Sequence, residues 1–293
     1  MPGTIVVGYD GSDHGSDALA LGRLLRELLD GELAVVCAYP DDPLGESATA
    51  VEIAKGMQQD AEAKLERARE LCADEQRVEY RAVAGATPAR VLHELGEQLE
   101  AAAIVVGASH HGTALRLLTG STPEHVLDHA PCPVAVAPAG FAGRSAGVPQ
   151  QIGVAYDGSP EADHALAVAA GLARATGAQL RLVSVVNAAG VGLYPPLDVT
   201  SYEQIGELAR ERARQQLDAA VAGLDGVAAD GVVLEGDPVE VLIEDSATEG
   251  LLVTGSRAHG PFRRVLLGSI STRLLRRASC PVVVVPRGSG EGP

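Results

Sequence analysis

The chain has 293 residues, of which 39 are acidic and 23 basic, giving a formal net charge of −16; that balance repels a polyanion and removes the counterion release that drives nucleic-acid binding. No run approaches the ~18 consecutive apolar residues of a membrane span, and the opening MPGTIVVGYDGSD has neither the basic start nor the long apolar centre of a secretory leader. The expected setting is therefore the cytoplasm, with no nucleic acid and no membrane as partner.

The first element is a strand, Thr4–Asp10, ended by Asp-Gly-Ser. A helix follows, with Ala18, Leu21, Leu25 and Leu28 on one face at helical spacing. Leu33–Tyr39 reads as the second strand, and Ala61, Leu65, Ala68 and Cys72 mark the buried face of a second helix. Arg77–Val83 is the third strand, and GATPARVLHE opens a third helix. Ala103–Gly107 is the fourth strand and Pro133–Ala137 the fifth. Between them a short helix is expected, with Thr122 as its cap, Pro123 at its first position and Glu124 at the positive end of its dipole. These strands read as near-continuous Val and Ile, as strands covered on both faces do.

The same series is then written again. TIVVGYDGSD recurs as QIGVAYDGSP at Gln151, GATPARVLHE from Gly85 is echoed by GDPVEVLIE from Gly236, AAAIVVGASHHG recurs as EGLLVTGSRAHG, and APCPVAVAP as ASCPVVVVP, at offsets of 147 to 151 residues. In the second copy Ala213, Leu217, Ala220 and Leu224 mark a helix, and Ser271 and Thr272 are the candidate caps of the last one. Strand and helix alternation predicts parallel sheets. The expected fold is α/β, two tandem flavodoxin- or Rossmann-like domains, each an open five-stranded parallel sheet with helices on both faces. Residues 1–140 form the first domain, 141–149 a Gly-, Ser- and Pro-containing linker, and 150–293 the second.

Four cysteines, Cys37, Cys72, Cys132 and Cys280, include no Cys-x-x-Cys pair and read as buried reduced thiols. With no Trp and two Phe, the cores are built from Ala, Val, Leu and Ile.

In an open parallel sheet, ligands bind beyond the carboxyl ends of the strands where strand order reverses. Two features of each copy lie at that edge. One is the aspartate after the first strand, Asp10 or Asp157; the other is the glycine loop after the fourth, beginning at Gly107 or Gly255. Gly107 and Gly112 carry the spacing of a phosphate loop, as do Gly255 and Gly260, but Thr113 and Pro261 stand where that loop has lysine. If the first and fourth strands are neighbours, acid and loop flank one crevice. The carboxylate can then accept hydrogen bonds from a ribose or adenine amine, and loop amides and a helix start can receive phosphates. Asp-Gly-Ser is equally an ordinary turn and helix cap, and glycine after a strand is ordinary punctuation. The Gly120-Ser121 and Gly268-Ser269 steps, each 13 residues beyond the first glycine of its loop, favour the nucleotide reading.

Each half resembles a universal stress protein domain, and the whole a tandem universal stress protein. The resemblance rests on VVGYDGS and GVAYDGS, the Pro-(Ala/Val)-(Arg/Glu)-Val-Leu segment, the glycine loop, and APCPVAVAP with ASCPVVVVP. It implies ATP, with or without Mg2+, as ligand. The family's ATP-binding pattern Gly-x2-Gly-x9-Gly-Ser/Thr is matched by Gly107, Gly120 and Ser121, and His110 and Ala258 stand at its second glycine. Gly8 and Asp10 would line the nucleoside, with Ala38 or Val185 offering backbone contacts to adenine; Asp157 corresponds to Asp10, and Ala155 replaces Gly8. Arg116 and Arg264 could meet phosphates, and the histidines of the loops, His110, His111 and His259, read better as phosphate-side donors than as metal ligands.

The implied role is that of a nucleotide-binding stress or signalling protein that is not an enzyme. The alternatives are an interaction module without nucleotide, and a weak ATPase. Pairing of the two halves, and of two chains as a homodimer, is expected from a duplicated self-associating domain, with the fifth strands as the implied seam.

Overall fold

A computed structural model describes residues 3–41, 48–108, 122–128, 130–144, 147–187, 199–256 and 269–286. They fall into two compact units that meet in sequence at Gly147 and Val148. In the N-terminal unit β1 (Thr4–Gly8), α1 (Asp13–Leu29), β2 (Glu32–Tyr39), α2 (Ala48–Leu71), β3 (Val78–Ala84), α3 (Pro88–Gln98), β4 (Ala103–Gly107), α4 (Thr122–Leu127) and β5 (Val134–Ala137) alternate. The C-terminal unit repeats them as β6 (Gln151–Ala155), α5 (Pro160–Thr176), β7 (Gln179–Val186), α6 (Val199–Ala222), β8 (Ala229–Glu235), α7 (Pro238–Asp245), β9 (Leu251–Gly255), α8 (Ser269–Arg277) and β10 (Val282–Val285).

Strand order is β3-β2-β1-β4-β5 in the first unit and β8-β7-β6-β9-β10 in the second, with all the pairings parallel. β1 lies between β2 and β4, with Val7 in register with Val35 and Val105. The chain steps outward from β1 to β3, then returns to β4 on the other side. Right-handed crossovers therefore put α1 and α2 on one face and α3 and α4 on the other; α3 and α4 pack together, as that requires. Order reverses between β1 and β4, so the expected fold and its crevice are both present.

Burial follows the sequence pattern. Ile5, Val6 and Val7 are buried, as are Ala18, Leu21, Leu25 and Leu28 on α1 and Ala61, Leu65, Ala68 and Cys72 on α2. All four cysteines are buried thiols. On α6 the stripe is weaker: Ala213 and Leu217 are buried, Ala220 is half-buried, and Leu224 lies beyond the helix end.

Several boundaries differ from the sequence reading. β1 ends at Gly8 because Tyr9 makes one last ladder bond, its N–H donating to Val36 O at 2.8 Å, and Asp10 then turns the chain. α4 begins at Thr122 itself. α8 begins at Ser269, so Ser271 and Thr272 lie inside the helix and do not cap it. Residues 141–143, at the start of the segment read as a linker, form a 3₁₀ turn against α1. There the buried Asp17 accepts the Gly140 N–H at 2.9 Å and the Ala142 N–H at 2.8 Å.

Candidate functional site

The crevice of the N-terminal unit starts with a turn. Asp10 Oδ1 accepts the Ser12 N–H at 3.0 Å and the Ser12 hydroxyl at 2.5 Å, while Ser12 Oγ accepts the Gly15 N–H at 3.1 Å as the cap of α1. Between them Gly11 has φ +79°, a left-handed conformation suited to glycine, and the α2 side chain of Lys64 covers it. The turn-and-cap reading of Asp-Gly-Ser is thus correct, but it engages only one carboxylate oxygen. Asp10 is exposed, and among the described residues its Oδ2 makes no hydrogen bond.

Beside Asp10 the sheet edge forms a pocket. Gly8, Asp10, Ala38 and Gly107 all line it, which brings four of the sequence candidates to one place. Its floor and walls are apolar: Val36 from β2, Val106 from β4 and Leu92 from α3. Ser12, His14 and Pro123 complete the rim. An apolar slot with a few convergent polar groups is the usual form of a small-molecule site.

Local sequence explains each position. Ala38 lies two residues past Val36, the β2 partner of Gly8, so Val36 and Ala38 share a face of the strand. Leu92 is placed by α3, whose N-cap Thr87 accepts the Arg90 N–H at 3.3 Å and whose first helical residue is Pro88. Pro123 is the second residue of α4, and His93 on α3 holds that helix, its Nε2 lying 2.6 Å from Val126 O.

Gly107 has a packing reason for its identity. A Cβ on it would lie 2.1 Å from His14 O, so only a bare α-carbon lets β4 end against the first turn of α1. Gly255 repeats this against Glu161 O at 2.5 Å.

In the C-terminal unit Asp157 Oδ1 accepts the Ser159 N–H at 3.0 Å, Gly158 has φ +72°, and Ser159 Oγ caps α5 by accepting the Ala162 N–H at 3.2 Å. Val185 lies two residues beyond Val183, the β7 partner of Ala155, as Ala38 does beyond Val36. Ser269 is the first residue of α8. His110, Gly112, Arg116, Gly120, Ser121, Ala258, Gly260, Arg264 and Gly268, with His111 and His259, lie outside the described residues.

Sequence reasoning missed His14, Leu92 and Lys64. His14 had a usable signal, since a residue two places after an N-cap stands at the helix start that faces the sheet edge. Lys64 had none, because its approach to the Gly11 turn depends on how α2 packs. The hydrogen bond that Lys64 donates to Asp60 raises the Lys64 pKa, and burial raises that of the Cys37 thiol nearby. Among the described residues, no three His, Cys, Asp or Glu side chains converge on a metal position, and no helix is long and apolar enough to cross a membrane.

Comparison with known proteins adds an independent line. The sequence model of the universal stress protein family matches residues 1–138 and again 149–286. A universal stress protein of Mycobacterium tuberculosis is 29% identical over 288 residues, 96% of this chain and 96% of its own. One from Thermus aquaticus is 34% identical over 135 residues, 45% of this chain and 95% of its own. The crystal structure of a universal stress protein from Archaeoglobus fulgidus matches 99% of this chain and 98% of its own, with a TM-score of 0.63 at 21% identity, a likeness of fold.

Proposed function

Because the chain belongs to the universal stress protein family and carries its domain twice, we propose that it binds an adenine nucleotide, ATP with or without Mg2+, and holds it as a stress or signalling ligand without turning it over. One observation carries this reading. Asp10, Gly8, Ala38 and Gly107, drawn from three strands and a turn, converge on one pocket at the reversal of strand order, and Asp10 keeps a carboxylate oxygen in reserve there.

The chemistry of the pocket suits the parts of such a ligand. The apolar slot between Leu92, Val106 and Val36 accepts a flat base, Asp10 Oδ2 can accept from a ribose hydroxyl, and the backbone at Ala38 can pair with the base edge. Phosphates would extend toward Gly107, His14 and the start of α4.

Holding is favoured over turnover by what phosphoryl transfer needs: a charged clamp, a metal held at the phosphates, and a positioned nucleophile. The glycine loops have Thr113 and Pro261 at the lysine position. The described residues provide no cluster of metal-binding side chains. Supporting the alternative of an interaction module, Asp10 and Asp157 both serve their own turns.

The two are separated by heating purified protein and chromatographing the released small molecules, with calorimetric titration of ATP beside it. Released adenine nucleotide or saturable ATP binding is the expected result. An empty supernatant together with a flat titration removes the nucleotide reading and leaves the interaction module.

A further inference from the structure

The two units are alike in fold but not at the crevice. Resting on the nucleotide reading above, we propose that the N-terminal unit alone holds the nucleotide, one per chain. His14 meets its anionic part, and Glu161 and Ala155 close the C-terminal crevice to it.

The first difference is at the floor. A Cβ on Gly8 would lie 3.0 Å from Leu92 Cδ1 and 3.4 Å from Val106 Cγ1, so the missing methyl is part of the space between the crevice walls. Gly8 pairs with Val36, and Ala155 pairs with Val183 in the same register of the second sheet. There the methyl is present, at the position that Gly8 leaves open in the first sheet.

The second is at the loop. His14 and Glu161 occupy the same place, each against the glycine that ends the neighbouring strand: a Cβ on Gly107 would lie 3.0 Å from His14 Cβ, and one on Gly255 would lie 3.0 Å from Glu161 Cβ. His14 lines the crevice, where an imidazole N–H can donate to a phosphate oxygen. A carboxylate launched from that point has no proton to give and repels the phosphate.

The third is at the rim. Asp10 Oδ1 lies 2.6 Å from where a Cβ on Gly15 would be. Ala162 follows the cap Ser159 at the same spacing as Gly15 follows Ser12, and it carries the methyl that Gly15 lacks. Asp157 Oδ1 still accepts the Ser159 N–H at 3.0 Å, so the turn is kept and the difference at the rim is one added methyl beside it. At floor and loop, the added methyl of Ala155 and the carboxylate of Glu161 act against a nucleotide in the second unit.

The test is calorimetric titration of the intact protein with MgATP, with thermal melting of each variant to check folding. Wild type is expected to bind one equivalent per chain, and His14→Glu to weaken that binding at least tenfold. Glutamate in the first turn of a helix favours the helix dipole, so α1 tolerates the change; Glu161 occupies the same turn of α5. His14→Gln, which keeps a donor, should lose less than His14→Glu. The double variant Ala155→Gly/Glu161→His should gain measurable binding in the second unit, raising the stoichiometry above one. Two equivalents in wild type, or one equivalent indifferent to His14→Glu, would overturn the assignment while leaving nucleotide binding intact. No binding at all removes the underlying reading, and this assignment with it.

Discussion

The carbonyl oxygen of His14 stands 2.1 Å from the place a Cβ on Gly107 would take, so α1 and β4 meet backbone to backbone at the mouth of the crevice. Neither partner is a flexible side-chain end that can swing away. Gly107→Ala is therefore expected to destabilise the protein by about 1–3 kcal/mol, the usual cost of overpacking, with Gly255→Ala acting in the same direction against Glu161 O. Urea unfolding checks both. Wild-type stability in Gly107→Ala would mean that α1 can move away, and the glycine would then have to be explained by ligand alone.

On the proposed nucleotide reading Asp10 has two tasks on two oxygens, and they can be separated. Asparagine keeps an oxygen for the Ser12 N–H and Ser12 hydroxyl, whereas alanine leaves both without it. Asp10→Asn should leave the melting temperature nearly unchanged while weakening ATP at least tenfold. Asp10→Ala should lose the same binding and also roughly 1 kcal/mol of stability. Equal ATP affinity in wild type and Asp10→Asn would remove the carboxylate from the site.

These two positions show why the sequence was legible only in part. Strand runs such as Ala103–Gly107 are apolar throughout, and the chain order of strands and helices follows from them, so the sheet and its crevice could be anticipated. Asp10 and Gly107 could be placed at the crevice because Gly107 ends a strand and Asp10 begins the turn just after one. That Gly107 answers to His14 could not, since the contact joins two backbones brought together by the packing of α1 on β4. The caps of α8 were misplaced for a local reason: Ser271 and Thr272 are suitable cap residues, but Ser269 already begins the helix. A cap signal gives a candidate, and several neighbouring hydroxyl residues give several.

Asp17 offers a prediction remote from any ligand. It is 3% exposed, and its two carboxylate oxygens each accept one amide, from Gly140 and Ala142, fixing the turn after β5 onto α1. Asp17→Ala leaves both amides without that partner. A loss of about 1–3 kcal/mol is expected, with early hydrogen exchange at the Gly140 and Ala142 amides. Unchanged protection there would show that the turn stands without Asp17. Its counterpart by sequence offset in the second unit is the exposed His164, so that replacing His164 with alanine should change stability little.

The buried acid Glu249 gives the fold a pH dependence whose sign can be worked out. Its side chain is fully buried, with Oε1 accepting from Gln151 Nε2 at 3.0 Å and from Arg181 Nη1 at 3.1 Å. Arg181 also binds Asp245 at 2.6 Å, so its charge is shared, and Oε2 of Glu249 has no hydrogen-bond partner among the described residues. Burial outweighs these partners and holds the Glu249 pKa above its ordinary value of 4.5. The folded state then binds a proton more readily than the unfolded chain. This contribution is fully present below pH 4.5 and is lost as pH rises through the folded value. Glu249→Gln removes the ionisation while retaining an oxygen for Arg181 and Gln151. Measured by urea unfolding from pH 4.5 to 8, the variant should gain on wild type as pH rises, by at most about 1.4 kcal/mol per pH unit within the window. A difference that is flat with pH, or that shrinks, would mean that Arg181 compensates the Glu249 charge fully, and that the carboxylate is ionised in the folded protein across the range.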